Sequence, residues 1–398
     1  MSGLRPLPVP GGAAVRGLLA PLERALSGQG ALAPYAVDAP VPALPDDPDQ
    51  LPHGLALAVG TSGSTGVAKR ALLTVDNLVS SAGATSQVLG GAGTWLLAMP
   101  AHHIAGLQVL VRSVLAGTEP ELVDLSDGFR AESFVSATRA LVGRSSGPRY
   151  TALVPTQVIR LLEDPAGTAA MAEYDAILVG GAAVPSAAVL AAERADVRLV
   201  RTYGMSETAG GCVYDGSPLP VSLVHIDNDQ HVVLGGSTVA HGYLGNPHLS
   251  SDAFEVDADG TRWFCTDDLG VLDGEGLLHI TGRADDLINT GGLKVMPGVV
   301  EDAIVRHVPG VRDVVVVGTA HPSWGQAVSA AVTLLSGAPA PSVRDVRSAL
   351  HGMLPDHALP HRLLVLDAIP LRGPGKPDRC ALVTAFDETL DDDAKRTG

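Results

Sequence analysis

The stretch Thr61-Ser62-Gly63-Ser64-Thr65-Gly66-Val67-Ala68-Lys69 gathers four hydroxyls, two glycines and a lysine within nine residues. Glycine lets backbone N–H groups approach an anion with no Cβ in the way, the hydroxyls add donors, and the lysine supplies a mobile positive charge. These residue types in this order describe a cradle for phosphate. The spacing G-x-x-x-x-G-K-[ST] cannot be laid over them, so the common nucleotide loop is excluded. A flexible Gly/Ser linker is the plain alternative, but the apolar runs Leu55 to Val59 and Arg70 to Leu73 on either side read as strands, which do not flank a linker. Lysine usage points the same way. Only Lys69, Lys294, Lys376 and Lys395 occur among 27 basic residues, so a retained lysine suggests that a compact ammonium is needed.

Further stretches carry chemistry-bearing residues. Thr202-Tyr203-Gly204-Met205-Ser206-Glu207-Thr208 sets an aromatic face, a glycine and a carboxylate close together, and Gly180-Gly181-Ala182 follows an apolar run. Thr266-Asp267-Asp268 ends a strand-like run, Gly282-Arg283-Ala284-Asp285-Asp286 lies where the texture of the chain changes, and Gly291-Gly292-Leu293-Lys294 follows it. Near the end comes Gly375-Lys376-Pro377-Asp378-Arg379. His102 and His103 stand in a loop; no third ligand lies at a metal-site spacing, which favours hydrogen bonding or pocket lining over metal.

The elements that must position these residues alternate. Val75 to Leu89 reads as a helix capped by Thr74, and Thr94 to Met99 as a strand leading through a loop to a helix over 107–115. Strand then helix recurs at 150–154 and 156–162, at 176–179 and 186–193, and a strand follows at 197–202. This order predicts a doubly wound parallel sheet with ligands at the carboxyl ends of its strands, where the motifs fall. Residues 13–28 read as a first helix, and the Pro-rich passage from there to Pro52 stays unassigned. Short alternating runs from Val221 to Thr281 predict a small antiparallel β subdomain, and the helices and strands after Gly282 a compact α+β domain of about the smallest self-folding size.

Composition sets outer limits. At 398 residues and 46% apolar content the chain has ample buried surface for two or three subdomains. A net charge of −16 argues against nucleic acid or an anionic membrane as the main partner, so any anionic ligand needs a local cluster of donors. Cys212, Cys265 and Cys380 suggest neither a disulfide framework nor a zinc knuckle, and no signal or membrane-spanning pattern is seen. A cytoplasmic location is expected, and homo-oligomerisation stays open. The acidic tail from Asp387 to Gly398 is polar enough to be disordered.

In this order and spacing the motifs resemble the adenylate-forming superfamily of acyl-CoA synthetases, adenylation domains and luciferases, from about Leu55 to Arg379. The resemblance implies an α/β fold: a large N-terminal domain of doubly wound sheets with a β subdomain over 1–282, a hinge at 283–288, and a small mobile α+β domain over 289–398. It implies a carboxylic acid, ATP and coenzyme A as small-molecule ligands, with Mg²⁺. The acid would attack the α-phosphate of ATP, and the thiol of coenzyme A would then displace AMP. Thr61, Ser62, Gly63, Ser64, Thr65, Gly66 and Lys69 would hold the β- and γ-phosphates. Gly180, Gly181, Ala182, Tyr203, Gly204, Met205, Ser206 and Thr208 would surround the nucleotide, Glu207 would place Mg²⁺, and Asp268 would take both ribose hydroxyls. Arg283 would contact ribose or phosphate. Lys376 would bridge the acid and the α-phosphate, Asp285 would be the hinge, and Gly291 and Gly292 would line the pantetheine tunnel. The chain departs from the pattern at Ala68, usually proline, and Asp267, usually glycine; neither removes a contacting atom.

Within that superfamily, Tyr150 to Leu162 and Tyr203 to Gly216 are similar to the same stretches of o-succinylbenzoate-CoA ligases of menaquinone biosynthesis, particularly the short actinobacterial forms. Such an acid has a second carboxylate, for which His103, Thr156, Gln157 and Arg160 are the candidates; Arg160 also reads as a helix-surface residue. A ligase for another aryl or acyl acid, an enzyme loading a carrier protein, and a non-catalytic nucleotide-binding sensor remain the alternatives.

Overall fold

In the computed structural model, residues 3–45, 51–61, 69–371 and 377–397 are described. They divide into two compact units. The first comprises Met1–His225, Val233–Thr266 and Leu272–Leu278, and the second Ile226–Val232, Asp267–Val271 and His279–Gly398.

The first unit is built on two α/β sheets. Its seven-stranded sheet runs in the order Ser217–Pro218, Gly210–Tyr214, Leu199–Met205, Ala176–Val179, Arg149–Leu153, Thr94–Leu97, Glu121–Leu122. The strands from Leu199–Met205 onward in this order are parallel, and the two that precede it antiparallel. Buried Ile177, Val179, Leu96 and Leu153 pack into one cluster with the helix Ala131–Arg144, while Ala176, Leu178, Trp95 and Leu97 join a second cluster with the helices Val75–Leu89 and Ile104–Ala116. Alternate strand residues thus feed opposite layers, as a sheet covered on both faces requires.

The helix Val75–Leu89 has the boundaries its sequence predicts. The Thr74 hydroxyl accepts from the Asn77 backbone amide at 3.3 Å, the Asn77 side-chain Oδ1 accepts from the Thr74 amide at 2.8 Å, and Gly90 closes the helix in the left-handed region.

The second sheet, of four strands, differs from expectation. Leu4–Val9 and Ala31–Ala36 are strands within sequence left unassigned or unread, and the single helix expected over 13–28 is a 3-10 turn, Gly12–Leu18, followed by the helix Leu19–Leu26. Proline obscured both strands. Leu4–Val9 is an edge strand whose Pro6 and Pro8 lie two residues apart, so the missing N–H groups fall on one side of the strand. The other edge is a hairpin: Leu55–Gly60 pairs antiparallel with Arg70–Thr74.

The β subdomain is a five-stranded sheet in which Phe254–Val256 pairs antiparallel with Arg262–Leu272. In the second unit, Val311–His321 and Gly325–Leu334 form the long central pair of another five-stranded sheet. Val316, Val328, Ala330 and Val332 face Val300 and Ile304 of the helix Pro297–His307, whereas Val315, Val317 and Ala331 face Leu382 and Phe386. Those last two, one helical turn apart, dock the helix Arg379–Thr397, which runs through the tail expected to be disordered. No helix among the described residues is long and apolar enough to cross a membrane.

Candidate active site

The stretch read as a cradle joins the two strands of the hairpin. The Thr61 amide donates to the Lys69 carbonyl at 2.9 Å and closes its neck, and the Arg70 guanidinium fastens its base to the carbonyls of Pro34 and Ala58 at 3.0 and 3.1 Å. The proposed phosphate ligands Ser62, Gly63, Ser64, Thr65 and Gly66, like the proposed catalytic Lys376, lie outside the described residues. At the neck, the Thr61 hydroxyl is buried with no partner among the described residues. Such an orphaned donor fits a site that a polar ligand completes.

Beside the neck lies the Ser206–Thr208 turn. The Ser206 hydroxyl donates to the Gly60 carbonyl at 3.0 Å, so the turn is fixed to the end of the cradle strand. The Thr208 hydroxyl accepts from the Met205 amide at 3.0 Å and lies 2.8 Å from the Gly210 carbonyl, holding the turn tight enough to put buried Ala209 at a φ of 53°. The Ala209 carbonyl accepts from Gln108 at 2.6 Å and from Ser81 at 3.2 Å. On its other side the Glu207 carbonyl accepts from the Ala240 amide at 2.8 Å, and the Asn77 side chain holds the same segment through the carbonyls of Ser237 and Val239. Only 7% of Glu207 is exposed, and Tyr243 donates to its Oε1 at 2.9 Å. Lys69 Nζ stands 5.4 Å from the centroid of the Tyr243 ring.

Tyr243 has no counterpart among the residues singled out from sequence. The signal that marks it is its position between Gly242 and the Gly245 turn, where the Ser250 hydroxyl accepts its amide at 2.8 Å and Phe254 meets its ring edge-on at 5.2 Å.

Gly180 is needed for close approach, since a Cβ there would lie 2.5 Å from the Thr202 hydroxyl. Gly181 and Ala182 beyond it are exposed, and half-buried Tyr203 and Gly204 lie on the strand Leu199–Met205.

The candidates for the acid separate. His103 is the extended N-cap of the helix Ile104–Ala116 and packs ring against ring with His102 at 4.2 Å; burial lowers the pKa of His102, and the Asp38 charge opposes this. Thr156 is exposed on the first turn of the helix Pro155–Leu162. Gln157 engages the backbone at both ends of its amide, accepting from the Val154 amide and donating to the Ala98 carbonyl, each at 2.9 Å. Arg160 is exposed and donates to the Phe129 carbonyl, in a shallow polar groove of about 430 Å³ that Glu132, Glu163 and Asp164 also line. Sequence reasoning passed over Arg112, on the helix that His103 caps. It is 7% exposed, has Trp95 beneath it at 5.0 Å and Thr85 at 3.3 Å, and forms no ion pair with a described residue. Burial lowers its pKa, and the neighbouring Tyr214 opposes this.

In the second unit Arg283 collects three carboxylates: Asp285 at 2.8 and 2.9 Å, Asp268 at 3.1 Å and Asp267 at 3.3 Å. Burial pulls its pKa down, but the Asp285 hydrogen bonds and the charges of Asp268, Asp285 and Asp267 outweigh this and hold it above the ordinary arginine value. Gly291 and Gly292 both take the left-handed region, with φ of 60° and 83°, and the Gly291 amide donates to the Trp324 carbonyl at 2.9 Å. Trp324 is 39% exposed and stacks on His321 with ring centroids 4.0 Å apart.

Residues 20–239 match the family model described as AMP-binding enzyme, and residues 299–376 the model of the AMP-binding enzyme C-terminal domain. A probable 2-succinylbenzoate–CoA ligase of Mycobacterium tuberculosis strain H37Rv is 44% identical over 395 residues, which span 96% of this chain and 98% of that protein. The 2-succinylbenzoate–CoA ligase of Listeria innocua is 29% identical over 80% of this chain and 68% of its own length. Among solved structures, ATP-bound MatB from Rhodopseudomonas palustris superposes with a TM-score of 0.79 at 20% identity, covering 97% of this chain and 88% of that one. The o-succinylbenzoate CoA synthetase of Bacillus subtilis, in complex with its acyl-adenylate intermediate, gives 0.71 at 23% identity, with 96% and 88% covered. These two likenesses establish the fold, an adenylate-forming architecture with a large N-terminal and a small C-terminal domain. The chain belongs to the AMP-binding enzyme family, whose members form adenylates with ATP.

Proposed function

We propose that the protein is a 2-succinylbenzoate–CoA ligase that joins the acid to coenzyme A by way of an acyl-adenylate, releasing pyrophosphate and then AMP. The observation that carries this reading is the 44% identity with the Mycobacterium tuberculosis ligase along nearly the full length of both chains.

A carboxylate is already a nucleophile, so the first half-reaction needs alignment and charge neutralisation of two anions more than a general base. The stretch from Thr61 to Lys69 would take the polyphosphate, and the buried Thr61 hydroxyl, without a partner among the described residues, supports this. Glu207 suits Mg²⁺, because it is a buried carboxylate whose oxygen is oriented by a neutral phenol, and Mg²⁺ prefers oxygen donors. When bound, the ion would neutralise charge on the triphosphate. Tyr203 would lie against adenine, Asp268 would accept the ribose hydroxyls once Arg283 yields it, and Lys376 would bridge the two reacting anions.

For the second carboxylate of the acid, His103 remains a direct candidate. The buried charge of Arg112, which forms no ion pair among the described residues, adds a favourable field, since a charge in a low-dielectric interior acts at longer range than one in water. Arg160 is less suited, being engaged at an exposed groove. For coenzyme A, the exposed Trp324 ring beside the left-handed Gly291 would offer a flat surface to the adenine, with Gly291 and Gly292 lining the pantetheine path.

The test is thioester formation with ATP and Mg²⁺ across o-succinylbenzoate, benzoate, succinate and a medium-chain fatty acid. Strong preference for o-succinylbenzoate is the expected result. Thioester from another acid would keep the mechanism and remove the substrate; adenylate without thioester would indicate a carrier-loading enzyme, and no turnover a nucleotide-binding sensor.

A further inference from the structure

Arg379 begins the helix Arg379–Thr397, where a positive charge opposes the helix dipole, so its position needs another reason. Its guanidinium reaches three other elements of the second unit. Nε pairs with Asp286 at 3.1 Å, Nη1 pairs with Glu301 at 3.1 Å on the helix Pro297–His307, and Nη1 also donates to the Val316 carbonyl on the strand Val311–His321. Glu301 accepts from the Val316 amide at 2.8 Å, and its pKa is raised by burial against the opposing pull of Arg379. The side chains of Arg379, Asp286 and Glu301 are 28%, 29% and 21% exposed, which shields the pairs more than a surface bridge is shielded.

Two placements give this cluster a use. Asp286 directly follows Asp285, the carboxylate that chelates Arg283, so consecutive aspartates engage two different arginines. And Arg379 follows a pairing of the segments on either side of residues 372–376: Leu371 bridges to Pro377, and the Asp378 amide donates to the Pro370 carbonyl at 2.8 Å. Lys376 precedes Arg379 by three residues, within about 10 Å of chain at full extension.

We infer that Asp286, Arg379 and Glu301 form a positioning clamp that fixes the root of the Lys376 loop to the hinge segment and thereby sets the reach of the lysine during adenylation. The inference rests on the role given to Lys376 above. None of the three touches the reacting atoms; each acts through the loop that Arg379 anchors. Arg379 is the centre, because only its forked guanidinium can hold both carboxylates and the Val316 carbonyl at once, and an ammonium in its place cannot reproduce that geometry.

The experiment compares the two half-reactions in the full-length protein carrying Asp286→Asn, Arg379→Lys or Arg379→Ala, with Lys376→Ala as reference. Adenylation is read as single-turnover pyrophosphate release without coenzyme A, and thioester formation from supplied 2-succinylbenzoyl-adenylate. The expected result is a fall in adenylation of about 10- to 100-fold, as for a misplaced catalytic group, with thioester formation changed less than about threefold. Arg379→Lys should fall between wild type and Arg379→Ala. Asp286→Asn keeps the shape of the site and covers the case in which Arg379→Ala does not fold. Equal loss in both half-reactions would make the cluster merely structural and overturn the clamp, as would unchanged adenylation in Asp286→Asn and Arg379→Lys while Lys376→Ala is inactive. Full adenylation by Lys376→Ala would overturn both the clamp and the role of the lysine on which it rests.

Discussion

The Tyr243 hydroxyl donates to Glu207 Oε1 at 2.9 Å, while Lys69 at the neck of the cradle lies over the same ring. One phenol thus connects the base of the loop proposed to hold phosphate to the carboxylate proposed to hold Mg²⁺. A hydrogen bond to a charged acceptor is worth about 1.5–3 kcal/mol, or about 10- to 100-fold in rate if it acts fully in the transition state. Tyr243→Phe keeps the ring against Phe254 and removes only the donor, so kcat/KM for ATP should fall by about that factor with the thermal midpoint little changed. An unchanged kcat/KM would mean that Glu207 needs no orientation by Tyr243.

Gly180 makes room for Thr202. A methyl group there meets the Thr202 hydroxyl at 2.5 Å and its carbonyl oxygen at 3.1 Å, so Gly180→Ala should destabilise the unit by about 1–3 kcal/mol and weaken ATP binding. Thr202→Ala removes the nearer obstacle, and the double variant should recover part of both losses in a thermodynamic cycle. Simple additivity would show that the strand ends yield without Thr202.

Arg160→Ala should leave KM for the acid within about twofold and stability within about 0.5 kcal/mol, the range of surface substitutions away from special features. The reason is its exposed hydrogen bond to the Phe129 carbonyl. A tenfold rise in KM would return Arg160 to the acid site.

Burial lowers the pKa of both His102 and His241; Asp38 opposes the shift in the first, while Arg262 adds to it and Asp76 opposes it in the second. With folded values below the unfolded value of about 6.5, the unfolded chain binds more protons in the window beneath that pH. Their contribution is therefore complete above about pH 6.5 and is lost as the pH falls through the unfolded value. Urea midpoints of wild type should drop between pH 7.5 and 5.5, and His102→Gln or His241→Gln should drop less. Identical slopes would assign the dependence to other groups.

Much of this was legible in the sequence where local chemistry and tertiary packing agree. Thr74 and Gly90 bound a helix whose ends match the capping signals, and the run Ala176–Val179 is apolar because both faces of its sheet are covered. The strands Leu4–Val9 and Ala31–Ala36 were hidden because proline argues against strand: Pro6 and Pro8 are accommodated on an edge strand, and Pro34, on the second strand, lies beyond Leu32, the residue that pairs with the next strand. Tyr243 was hidden for another reason: its importance comes from a hydrogen bond to a residue 36 positions away, which no local pattern announces. Arg160 shows the opposite case, a charge at a suggestive spacing that the fold engages at an exposed groove. Arg112, buried beside Trp95, carries no sequence signal beyond being an arginine in an apolar helix.

The most direct test of the account is ATP–pyrophosphate exchange by the purified protein with Mg²⁺ and o-succinylbenzoate, without coenzyme A. Exchange that appears only with the acid, and is abolished in Lys376→Ala while ATP binding persists, is the expected result. Absence of acid-dependent exchange by the wild-type protein would contradict the adenylate-forming mechanism and with it the ligase reading.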